Sequence, residues 1–235
     1  MISVCLASYN GEAYIRQQID SILPQLTLED ELIISDDGSK DDTSHILASY
    51  SDNPIVKVYP GPRLGVVKNF ESAIAHAKGD MIFLADQDDV WLPNKVEEMV
   101  RVFTESPDTL VVVSDLTIVD SQLEAIEPSY FDYRQVKTGF FHNLLRNGYI
   151  GAGMAFRSNL KKKILPFPEK LPMHDMWIGL LARNNVVFVK KQLTLYRRHN
   201  ENASEILSTS SFYQKFIWRL DLIMSLIRNS LKHGL

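Results

Sequence analysis

Met81-Ile82-Phe83-Leu84-Ala85-Asp86-Gln87-Asp88-Asp89 decides how the chain folds. Five apolar residues in a row, introduced by Gly79-Asp80, predict a strand buried on both faces of a sheet. Three carboxylates follow within four residues, and such residues are poor strand formers, so the strand ends where the acids begin. In open α/β sheets ligands bind at that edge. Acids this close repel one another unless a cation or proton intervenes, and an all-oxygen set suits a hard ion such as Mg²⁺ or Mn²⁺. The spacing is equally that of a solvated acidic turn before the helix that opens near Pro93.

Working towards the N-terminus, strands and helices alternate. Residues 1–7 form an apolar strand ended by Ser8-Tyr9-Asn10-Gly11, and Ile15, Ile19, Ile22 and Leu26 fall on one helical face. A second strand, 31–35, is closed by Asp36-Asp37-Gly38-Ser39, and a third, 55–59, breaks at Pro60-Gly61-Pro62. Residues 67–77 are helical. Beyond the acids come a helix through Val96, Met99 and Phe103 and a strand at 110–113. This order predicts a Rossmann-like, parallel, doubly wound α/β sheet. Ser8-Tyr9-Asn10, Asp36-Asp37 and Asp86-Asp88 then leave their strands on one edge, a place for a nucleotide and its metal-bound phosphates. Neither a GxGxxG nor a GxxxxGK[ST] loop follows the first strand.

The alternation fades after Ser114. A polar and aromatic loop is expected at 130–137, a short helix at 140–146, and a glycine-rich segment at Gly148-Tyr149-Ile150-Gly151-Ala152-Gly153 that permits close backbone approach. A proline-rich stretch delivers His174-Asp175-Met176-Trp177 at the start of a helix. Strands are expected at 186–189 and 194–198, then a polar loop, Arg197-Arg198-His199-Asn200-Glu201-Asn202. The last segment, 212–235, reads as a helix with Phe212, Phe216, Leu220, Ile223 and Ile227 along a stripe. It carries four basic residues against Asp221, leaving the first 210 residues at −7. Such a basic amphipathic helix can lie on an anionic membrane or pack on its own domain or a partner.

With 235 residues, 45% hydrophobic and 23% charged, the chain can bury one large core. A net charge of −4 argues against nucleic acid as a partner. Cys5 is the single cysteine, placed in the first strand, so no internal disulfide forms. The first residues lack a basic and apolar leader, and the expected location is cytoplasmic, with the last helix able to hold the protein peripherally at a membrane.

Ser8-Tyr9-Asn10-Gly11, Ser35-Asp36-Asp37-Gly38-Ser39, Asp86-Gln87-Asp88-Asp89, His174-Asp175-Met176-Trp177 and Tyr196-Arg197-Arg198-His199 occur in the order seen in family 2 glycosyltransferases. The run from Tyr14 to Leu23 resembles bacterial enzymes that build surface polysaccharides, rhamnosyltransferases among them. The resemblance spans most of residues 1–205. It implies a GT-A fold over 1–210, with a nucleotide-sugar half (1–115) and an acceptor half (116–210), followed by the helix 211–235. It also implies transfer of a hexose or rhamnose, with inversion, from a nucleotide-diphosphate sugar to a glycan or lipid-linked glycan.

By the same resemblance Ser8, Tyr9 and Asn10 line the nucleotide pocket, Asp36 accepts a hydrogen bond from the base, and Asp37 lies towards the ribose or base. Asp86 and Asp88 correspond to the family's two DxD acids, which reach the ribose and a divalent metal, with Asp89 as an additional contact. Asp175 corresponds to the general base, although His174 stands where the family has an acid. Arg198 and His199 fall near the diphosphate or its metal. A surface-loop histidine at 199 and a helix cap at Asp175 are the bland alternatives. Trp177 suits either an acceptor sugar or the core. A nucleotidyltransferase and a non-catalytic sugar-nucleotide-binding subunit are the competing functions.

Overall fold

The computed structural model describes residues 1–199 and 212–233, with the side chains of 212–216 and 233 left aside. The expected polar loop at Asn200-Glu201-Asn202 and the stripe side chains of Phe212 and Phe216 therefore lie outside the described residues.

The first half follows the sequence closely. β1 (Ile2–Ser8) sends Val4 and Leu6 into one core and Cys5 and Ala7 into the other, which is why its polarity does not alternate. α1 (Ile15–Ile22) buries Ile15, Ile19 and Ile22 against the first of these cores. Next come β2 (Glu31–Asp36), α2 (Thr43–Ala48), β3 (Val56–Pro60), α3 (Val66–His76) and β4 (Met81–Asp86). β3, β2, β1 and β4 lie side by side in that order, all parallel. The register pairs Ser8 with Asp36 and Ala7 with Asp86, so the polar strand ends share one edge.

The second half departs from a purely parallel sheet. β5 (Val90–Trp91) and α4 (Lys95–Glu105) lead to β6 (Val111–Val119) and β7 (Ala125–Glu127). β6 does not pair with β4. After α5 (Tyr130–Arg134) and α6 (Phe140–Leu145), β8 (Met154–Arg157) enters between them, antiparallel to both. The four-residue β8 buries Met154, Ala155 and Phe156 completely, and its Arg157 side chain donates to the carbonyls of Thr109 and Phe103. α7 (Lys161–Ile164) and α8 (His174–Leu181) follow. β9 (Val186–Arg197) is one strand rather than the two expected: Val189 pairs with Ser114 and Gln192 with Asp115, leaving Lys190 and Lys191 as a bulge. α9 (Phe212–His233) closes the described chain.

Asp115, at that bulge, organises the cleft side of the second half. Its carboxylate accepts from the Ser129 hydroxyl (2.6 Å), the Phe131 amide (2.9 Å) and the Gln192 side chain (2.8 Å). These bonds set the start of α5, so the expected loop at 130–137 opens as a helix instead. α9 packs on its own domain through Leu222, fully buried, and through Arg219 and Asn229, which donate to the carbonyls of Leu145 and Lys163.

Candidate active site

A cleft of about 950 Å³ opens at the shared strand edge, a volume suited to a nucleotide-sized ligand. Ser8, Tyr9, Asp37, Asp86, Asp88, His174 and Asp175 all line it, although they come from four separate motifs. Their convergence follows from the parallel pairing of β1, β2 and β4, with α8 closing the opposite wall.

The loops around the cleft are held by the other motif residues. Asn10, at φ 48°, accepts from the Lys40 amide through its side chain and donates its own backbone amide to the Ser39 hydroxyl oxygen. Asp36 accepts from the Ser39 amide and hydroxyl. Neither lines the cleft itself; both tie the first two strand-end loops together at its edge. Asp37 lines the cleft, but its two carboxylate oxygens accept from the amides of Arg63 (2.6 Å) and Gly65 (2.8 Å). Gln87 pins Tyr9 by bonds to both its amide and its carbonyl. A Cβ at Gly11 would stand 2.4 Å from Gln87 Oε1, so any larger residue there would push the Gln87 side chain off Tyr9.

The acids after β4 divide by environment. Asp86 is pushed up to about 7, first by burial and then by Asp88 and Asp175. Asp88 Oδ2 lies 2.9 Å from His199 Nε2. Asp89 is buried behind them: one oxygen accepts from the Arg197 amide and the other has no partner. Burial and its two neighbouring acids push it well above the usual carboxylate range. It does not line the cleft. Arg197, which the motif names without a role of its own, is the buried clamp here. Its guanidinium donates to Asp88 O, Ser121 O and Gln17 Oε1 and lies over the Tyr14 ring. Arg198 stacks on Tyr196 and donates to its hydroxyl.

A divalent metal fits Asp88 and His199. An oxygen and a nitrogen donor stand together, both side chains mostly buried, beside two further carboxylates raised first by burial and then by neighbouring acids. Among the described residues no three His, Cys, Asp or Glu side chains converge into a complete cage. One carboxylate with substrate phosphates is a donor set that Mg²⁺ uses, and the added imidazole nitrogen suits a transition ion such as Mn²⁺ better.

Asp175 sits in the first turn of α8, one residue past its start, so it is not the helix cap; Met173 occupies that position. The carboxylate accepts from the Met176 amide, and the nearby Gly151 amide and Asn147 side chain also favour its ionised form. Burial outweighs these bonds and pushes it up to about 6. His174 is stacked on Phe70 at 4.0 Å with neither ring nitrogen partnered, and burial pushes it down to about 3. It is neutral. Trp177 is 1% exposed and donates from Nε1 to Ile164 O, so it is a core residue and not a platform for an acceptor sugar. Tyr130 lines the same cleft from α5, its phenol pushed up to about 12 by burial with Arg134, Asp175 and Arg198 nearby.

Lys95 is the least expected member of the site. Fully buried, its ammonium donates to Ala152 O (2.6 Å) and Thr194 Oγ1 (2.8 Å) and lies over the Trp91 ring. Ala152 neighbours Gly151, whose amide serves Asp175; Thr194 lies on β9, which carries the clamp on Asp88 and Asp89. Burial pushes Lys95 down to about 7, against the pull of Asp89 and Asp86.

Comparison with known proteins places these observations. The chain is 28% identical over 172 residues to an uncharacterised glycosyltransferase of Nostoc, covering 70% of this chain and 53% of that protein. It is 26% identical over 193 residues to the Escherichia coli UDP-Glc:alpha-D-GlcNAc-diphosphoundecaprenol beta-1,3-glucosyltransferase WfgD, covering 79% and 72%. It therefore spans about half the length of the Nostoc relative. Among solved structures it resembles Staphylococcus aureus TarS in complex with UDP-GlcNAc, at TM-score 0.72 and 20% identity over 95% of this chain and 66% of that one. It also resembles the Mycobacterium tuberculosis glucosyl-3-phosphoglycerate synthase, at TM-score 0.61 and 21% identity over 97% and 79%. The GT-A fold expected from the motifs is the fold observed. The model of Glycosyl transferase family 2 matches residues 3–165, more than half of the chain, and the chain belongs to that family.

Proposed function

We propose that the chain transfers a sugar, with inversion, from a nucleoside-diphosphate sugar to a hydroxyl of a glycan or lipid-linked glycan of the bacterial surface. The observation that carries this reading is a buried carboxylate, Asp175, facing the same cleft as Asp86 and Asp88. Ser8, Tyr9 and Asp37 form the nucleotide end of the cleft. Asp86 reaches the donor, Arg198 supports its diphosphate side, and Asp88 with His199 would hold Mg²⁺ or Mn²⁺. That ion, when bound, neutralises charge on the departing diphosphate. TarS was crystallised with UDP-GlcNAc and the mycobacterial synthase with Mn²⁺ and UDP. WfgD is named for a UDP-Glc donor and a diphosphoundecaprenol-linked acceptor.

Asp175 takes the proton of the acceptor hydroxyl as its oxygen forms a bond to the anomeric carbon. The bond from that carbon to the donor phosphate oxygen breaks, and the nucleoside diphosphate leaves with the electron pair. A carboxylate near 6 is ionised at neutral pH yet more basic than an exposed aspartate. One base and one displacement give inversion.

The test is a thermal-shift panel of nucleotide sugars with Mg²⁺ or Mn²⁺, followed by product analysis with the donor that binds. A donor that raises the melting temperature and yields a nucleoside diphosphate with an inverted glycoside supports the proposal. Release of pyrophosphate instead would move the chain to nucleotidyl transfer.

A further inference from the structure

We infer that α6 and α9 together form a docking face for an anionic membrane, next to the acceptor side of the cleft. α9 turns one face, Leu222 and Leu226, into the core. The opposite face exposes Ile217, Leu220, Met224, Ile227 and Leu231, each 38–81% accessible. Their spacing alternates three and four residues, so they run as one stripe along the helix. α6 lies alongside: Arg219 binds the Leu145 carbonyl, and Phe140 shares a small cavity with Leu226 and Asn229. α6 adds Phe141 and Leu145 to the outer surface, 79% and 75% exposed. Seven large apolar side chains on two adjoining helices are more than the scattered exposure normal for a protein surface.

Charge identifies the occupant. Residues 133–168 hold seven lysines and arginines and no acid, in a chain of net charge −4. From this run Arg146 and Lys162 are exposed, Arg146 just past the end of α6, while the carbonyl of Lys163 receives the Asn229 bond from α9. Arg228 and Lys232 add exposed basic side chains on α9 itself. The apolar stripe is thus rimmed by cations, the arrangement that sinks into the headgroup region of an anionic bilayer. A second copy of the chain fits less well, because a two-fold interface sets the same basic rim against itself. No described helix is long and apolar enough to cross a membrane, so the face lies on the bilayer rather than in it. Arg134, which lines the cleft, joins this surface through its carbonyl, a partner of the Arg146 side chain. The acceptor side of the cleft therefore adjoins the docking face.

The experiment is co-sedimentation of the full chain with large unilamellar vesicles, phosphatidylglycerol–phosphatidylcholine against phosphatidylcholine alone, at low and high salt. Binding is expected only to the anionic vesicles and to fall at least tenfold in high salt, where charges are screened. Leu220→Glu with Ile227→Glu should abolish it with circular dichroism unchanged. Should that variant misfold, Arg228→Glu with Lys232→Glu tests the rim alone and should weaken binding about tenfold. Absence of binding by the intact chain to anionic vesicles at low salt would overturn the inference. So would a dimer in sedimentation equilibrium that Leu220→Glu dissociates. None of these readouts uses catalysis, so they stand apart from the proposed transfer reaction.

Discussion

Asp175 and His174 are neighbours with opposite electrostatics. Burial raises the carboxylate to about 6 and lowers the imidazole to about 3, so at neutral pH one is an anion and the other uncharged. The aspartate is the more basic of the two, which is why the proposed mechanism gives it the acceptor's proton. Asp175→Asn retains its size and its place in the first turn, and it is expected to keep donor binding while losing transfer by roughly a hundredfold or more. Single-turnover kinetics at saturating donor measures this. His174→Ala should cost far less. The pH profile follows in sign: the base works when ionised, so the rate rises with pH up to about 6 and then levels. That rise should vanish in the Asn variant. A second expectation concerns Asp88, which lies beside His199 and is proposed to hold the metal with it. Asp88→Asn should raise the Mn²⁺ concentration needed for half-maximal donor binding about tenfold or more, measured by titration calorimetry, with the melting temperature little changed.

At the scale of elements, α4 is attached to the site by one side chain. Lys95 begins that helix yet points inward, linking the turn that serves Asp175 to the strand that clamps Asp88 and Asp89. Lys95→Met preserves the length of the side chain but leaves the Thr194 hydroxyl without this donor. Transfer is expected to drop about tenfold in kcat with little change in donor KM, since small displacements at a reacting centre cost rate more than binding. Steady-state kinetics beside a thermal melt separates this from simple loss of fold. Lys95 also shows where sequence reading stops. A lysine after Pro93-Asn94 looks like an exposed first-turn residue, and nothing local indicates its burial. The strand-end acids were legible because three parallel strands had clear apolar runs and short loops. Which acid faces the cleft was not. Asp36 and Asp37 are adjacent in sequence, and only the hydrogen bonds of Ser39, Arg63 and Gly65 tell them apart. The two-residue β5 has too little periodicity to be read; residues 154–157 read as a strand, but nothing local shows that it enters between β4 and β6, and the bulge at Lys190 and Lys191 disguised one long strand as two.

For the whole molecule, the placement of β8 bears on how the protein can be made. A ribosome releases β4 about seventy residues before β8, and β6, which comes sooner, has no direct place beside β4. Until residue 157 emerges, the nascent chain carries the apolar margin of β4, Ile82, Phe83 and Leu84, with its hydrogen-bonding edge open. Such an edge is a template for any other extended strand. A fragment of residues 1–120 is accordingly expected to form oligomers at micromolar concentration, seen by light scattering and relieved by adding a peptide spanning residues 150–160. The protein's vulnerable period is thus an interval of translation, in which a chaperone or slow elongation would matter more than the stability of the finished fold.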